Sequence, residues 1–64
     1  MALFIVTFRP ETDREPEEVE ADSAAVEAGG QVVLRRAVMV IGQPREVVVL
    51  RLPGKDVVSV EPTA

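Results

Sequence analysis

The 64-residue chain has no cysteine, histidine, tryptophan, tyrosine or asparagine, and only two phenylalanines. Each gap closes a route to function. Without Cys there is no disulfide and no thiolate metal site. Without His, the hydroxyls of Thr7, Thr12, Ser23, Ser59 and Thr63 lack the usual base that would make one of them a nucleophile. Lys55 is the single lysine and sits in a turn sequence, where it is expected to be solvated and charged. Without Trp or Tyr there are no broad aromatic platforms for sugars or unstacked bases. Gly29-Gly30 is no phosphate-binding loop and reads as a turn. These absences predict a protein that is not an enzyme and that holds no cofactor and no metal.

Long apolar runs are missing too. The stretch Ala2–Val6 is far too short for a signal-peptide core or a membrane span, and no basic region precedes it. The expectation is a soluble, cytoplasmic protein with no membrane contact. Sixty-four residues make one small domain, 1–64, whose core is marginal at this size. Disulfides and thiolate metals are excluded, so tight sheet packing or oligomerisation must supply the stability.

Against these absences stand thirteen valines. Valine is stiff at χ1 and favours strands. Leu3–Phe8 reads as a first strand with both faces apolar: Phe4, Val6 and Phe8 on one side, Leu3 and Ile5 on the other. Pro10–Pro16 reads as a loop. Residues 17–28 admit two readings. Pro16, the following acids and Gly29 would frame a helix, but the apolar spacing is poor and Asp22 and Ser23 would be buried. A strand turns Val19 and Ala21 inward and Glu18, Glu20 and Asp22 outward, with a turn near Ser23 and a short segment around Val26; this reading fits better.

Gln31–Arg36 is the next strand, with Ala37–Ile41 continuing it or pairing separately. Gly42–Arg45 reads as a hairpin turn. Glu46–Leu52 is the strongest strand, with Val47, Val48, Val49 and Leu50 in succession. Pro53-Gly54 suits the centre of a type II turn with positive φ at the glycine. Val57, Val58 and Val60 form the last strand, closed by Pro62. The prediction is an all-β domain of five or six short antiparallel strands in a meander, a small barrel or a sandwich. The alternative is an α+β fold with one helix at about 17–28. Phe4, Val47 and Val49 are expected in the core. Strands apolar on both faces leave one face to be covered by another element or by another copy of the chain.

The net charge of −4 conceals an asymmetry. Residues 1–31 hold eight acids and two bases, and residues 32–64 hold three acids and five bases. The acidic run Glu11, Asp13, Glu15, Glu17, Glu18, Glu20 and Asp22 is the one dense polar cluster. A calcium loop would need a glycine within it, but Pro16 interrupts the run and no Gly comes before residue 29. Charges that guard a strand edge explain it better. The bases Arg35, Arg36, Arg45 and Arg51, with Lys55, could form the groove of a single-strand nucleic-acid binder. The net negative charge opposes phosphate approach, so nucleic acid is the weaker expectation.

The segments Val19–Ser23, Gly29–Leu34, Val47–Val49 and Val57–Pro62 together resemble short β-strand proteins encoded in GC-rich bacterial genomes and their phages. Six arginines to one lysine suit such a source. The resemblance covers residues 17–62, implies strand and turn over 17–28, and brings no activity and no functional residue with it. The hairpin around Gly42–Arg45 departs from the shorter members of that group.

The function expected from these observations is a non-enzymatic, self-associating interaction or assembly module, a homo-oligomer with a possible protein partner. Its contact surfaces would be Glu17, Glu18 and Glu20 on the acidic side and Arg35, Arg36, Arg45 and Arg51 on the basic side. Two alternatives belong to other classes: a small barrel that binds single-stranded nucleic acid through the arginines, and an acidic inhibitor or nucleic-acid mimic that docks on a basic enzyme.

Overall fold

The fold follows from two-residue alternation broken by turn-forming residues. The computed structural model describes residues 2–63. It contains β1 (Ala2–Phe8), β2 (Glu17–Ala21), β3 (Ser23–Val26), β4 (Gln31–Val40), β5 (Gln43–Pro53) and β6 (Val57–Pro62). Short 3-10 turns at Pro10–Thr12 and Gly54–Asp56 join β1 to β2 and β5 to β6. All pairings are antiparallel, in two three-stranded sheets ordered β2-β1-β6 and β3-β4-β5. The protein is therefore all-β. Residues 17–28 hold two strands, so the helical alternative does not occur. Asp22 and Ser23, which a helix would have had to bury, are both exposed.

β2 and β3 are nearly one strand. The chain bends at Asp22 and leaves the first sheet for the second. The Asp22 amide donates to the Arg35 carbonyl at 2.8 Å, and its carboxylate accepts the Ala37 amide at 2.6 Å. This junction wraps the two sheets around one core. Phe4, Val6 and Phe8 supply it from β1, Ala21 from β2, Val32 and Leu34 from β4, Leu52 from β5 and Val57 from β6. No polar or charged side chain among the described residues is buried. The Arg14 guanidinium lies 3.9 Å above the Phe8 ring and shields that end of the core.

Three sequence expectations need correction. Val47 and Val49 are not core residues; they are 41% and 39% exposed, whereas Phe4 is buried. The cause is length. β3 accompanies β4 only as far as the Ser23–Arg35 pair, while the β4–β5 hairpin runs on to the Val40–Gln43 pair. The hairpin turn is also displaced. It consists of Ile41 and Gly42, with φ of 50° and 74°, as a tight two-residue turn requires. Pro44 lies within β5 opposite Met39, tolerated because β5 is an edge strand. Finally, Gly54 does not take a positive φ. A side chain there would collide with the backbone carbonyl of Gly30, so glycine answers a close approach of two turns.

The overhanging hairpin changes the shape. The molecule measures 43 × 28 × 15 Å with a radius of gyration of 12.6 Å. A compact domain of this length has a radius near ~10.7 Å. The exposed surface is 4547 Å². The scaling for compact monomers of this mass gives about 4,000 Å². The surface thus exceeds that of a compact monomer by roughly 550 Å².

Candidate functional site

The distal hairpin, from Arg35 to Val48, forms an arm that extends about 20 Å from its root to the tip at 3.3 Å per residue. Its register defines two faces. Arg36, Val38 and Val40 share one with Val47, Arg45 and Gln43, and this face continues the core side of Leu34 and Leu50. Arg35, Ala37 and Met39 share the other with Val48, Glu46 and Pro44. A shift in register between Leu34 and Arg35 marks the root of the arm. Both faces carry exposed apolar side chains, up to 69% for Met39 and 97% for Ile41 at the tip. Ile41 is also strained, because a β-branched side chain disfavours positive φ.

At the root, the reverse face is closed by an ion network. Glu27 accepts hydrogen bonds from Arg35 and, at 3.2 Å, from Arg51; Arg51 also donates to the Gln31 side-chain oxygen at 2.9 Å. Val33 is wholly buried on this face although it lies outside the core cluster, in register between Ala25 and Arg51. Arg51 is its register partner, and Arg35, two residues along β4, shares its face, so the aliphatic stems of both are placed to cover it. The Arg35 hydrogen bond is the main cause that holds the Glu27 carboxyl below the ordinary Glu value; desolvation opposes it, and the charge of Arg35 and then the bond and charge of Arg51 add to the lowering. A depressed carboxylate contributes stability above its unfolded pKa and loses it as pH falls through the folded one. Urea midpoints of the wild type are therefore expected to fall on acidification below about pH 4.3. In Glu27→Gln that part of the pH dependence should disappear; an unchanged acid limb would mean the network contributes nothing.

The arginines singled out by sequence do not form one basic groove. Arg35 and Arg51 meet through Glu27 on one face, while Arg36 and Arg45 lie on the other beside Val47 and Val38. Arg36 Nε is buried without a hydrogen-bond acceptor. Such an orphan donor is costly, by about 1–3 kcal/mol. Glu17, Glu18 and Glu20 are all exposed on β2, an edge strand; Glu17 pairs with Arg14 at 3.3 Å. Among the described residues, no group of three or more carboxylates stands close enough to hold a metal ion. None of their helices is long and apolar enough to cross a membrane.

No protein-family model, curated protein or solved structure matches this chain. The arm and its root are therefore read from their own chemistry. Sequence reasoning missed Glu27, which lay in the ambiguous stretch with no basic neighbour; its partners come from β4 and β5. It also missed Ile41, whose only signal was the adjoining glycine.

Proposed function

We propose that this protein is a non-enzymatic, self-associating interaction module whose contact element is the β4–β5 arm. The observation that carries this reading is an arm whose apolar side chains, Val40, Met39, Ile41, Val47 and Val48, are exposed on both faces and at the tip. Exposed apolar patches of this kind mark interaction sites in soluble proteins.

Light scattering coupled to size exclusion tests the reading. A discrete oligomer that survives 1 M salt is expected, since apolar burial resists screening whereas exposed charge pairs do not. An oligomer that dissociates in salt would transfer the interface to the acidic and basic surfaces. A monomer at high micromolar concentration would overturn the reading.

A further inference from the structure

Besides the arm, the described residues form a groove of about 820 Å³ at the end remote from the hairpin tip. Its walls are β3 at Ala24–Val26 and β6 at Val57–Val60, and its floor is formed by the Gly29–Gly30 and Pro53–Lys55 turns. The lining is small or apolar, with Lys55 as the one charged residue. β3 and β6 each end their sheet, so each brings an unpaired strand edge to the groove.

These edges differ from the protected one. The edge strand β2 carries Glu17, Glu18 and Glu20, the charged guard that prevents strands from adding. β3 has the sequence Ser-Ala-Ala-Val, all exposed, and β6 begins Val-Val-Ser-Val with Val58 57% exposed. Neither stretch carries a charge. Bare edges that flank an apolar groove are where an extended segment is received.

We propose that the groove receives the arm tip of a second copy, so that two chains lie antiparallel and exchange tips reciprocally. This inference rests on the self-association reading above and specifies its geometry. The tip segment Val38–Gln43 is uncharged, and Lys55, the one charged residue in the groove lining, is exposed, with a long stem that keeps its ammonium in water. The groove residues Gln31, Val32 and Pro53 lie at the base of the same hairpin whose tip is Ile41-Gly42. Tip and groove are therefore about 30 Å apart in one chain, ten residues of strand. That span is most of the 43 Å length of the molecule. Two copies laid side by side in opposite directions bring each tip to the other's groove. The arrangement is two-fold symmetric and closes at a dimer, because both tips and both grooves are used. The strained conformation of Ile41 sets the most exposed apolar side chain at the leading point of the arm.

The absence of native cysteine makes the test clean. Full-length Ile41→Cys and Val58→Cys proteins, both altered at exposed positions, are mixed at high micromolar concentration and oxidised. A disulfide needs Cα atoms within about 7 Å, which the separation within one chain forbids. The expected product is a mixed I41C–V58C disulfide dimer in at least tenfold excess over either self-pair. In addition, Val58→Glu should weaken dimerisation at least tenfold while its circular dichroism stays that of the wild type. A dimer by light scattering that yields no mixed disulfide, or mainly I41C self-pairs, overturns the exchanged-tip geometry and leaves the self-association reading standing. A monomer overturns both and assigns the groove to an extended segment of a foreign partner.

Discussion

Replacing Ile41 with asparagine is expected to destroy assembly and, in the same protein, to raise the melting temperature of the isolated chain. The two effects arise from different atoms. In the tight turn Ile41 and Gly42 both take positive φ, which Asn-Gly accepts and a β-branched residue resists. Relief of about 1 kcal/mol of backbone strain corresponds to a rise of roughly 4–8 °C for a domain of this size. Assembly moves the other way. An isoleucine buried at an interface contributes about 1.5–3 kcal/mol, and a two-fold dimer loses it twice. The expected loss of about 3–6 kcal/mol weakens the dimer at least a hundredfold. Light scattering and thermal melts at matched concentration read the two effects separately. A variant that melts higher and still dimerises with unchanged affinity would show that the tip is not part of the interface.

Leu34→Ala is expected to abolish a stable fold, with no such gain. Leu34 is fully buried, on the central strand of its sheet, opposite Ala24 on β3 and Leu50 on β5. Truncation of a buried leucine costs about 2–5 kcal/mol, through lost transfer energy and the cavity left behind. Domains of this size without disulfides or metal rarely hold more than ~3–5 kcal/mol from a single core. The variant should unfold in urea with a midpoint close to zero, or fold only at concentrations where the dimer contributes by mass action. A midpoint near that of the wild type would mean that Leu34 is not central to the core.

The strands were legible because their signals are local. Phe4, Val6 and Phe8 alternate with less buried neighbours, and the poor helical spacing of residues 17–28 correctly favoured strand. Proline misled at Pro44, which marked a turn in the sequence and lies on an edge strand in the structure. The arm was half legible. Valines at 47–49 showed two apolar faces, but alternation cannot say what covers a face, and the structure leaves both uncovered. Coverage depends on where β3 stops, and no residue near Val47 encodes that. The groove was not legible, because its walls are alanine and valine with one serine, residue types that carry no chemical signature here. The ion network was missed for a related reason: Glu27, Arg35 and Arg51 are brought together by register across three segments.

The pairing pattern also predicts an order of events in folding. β3, β4 and β5 are sequence neighbours joined by short turns, so their sheet closes through local contacts, which form early. β1 meets β6 only after nearly the whole described chain has been spanned, and the closure of that long loop costs entropy before any contact rewards it. The Phe4–Phe8 face of the core waits for that closure, whereas the hairpin does not. On this order the arm is expected to be the first part of the molecule to be finished and, in an exchanged dimer, the last to be buried.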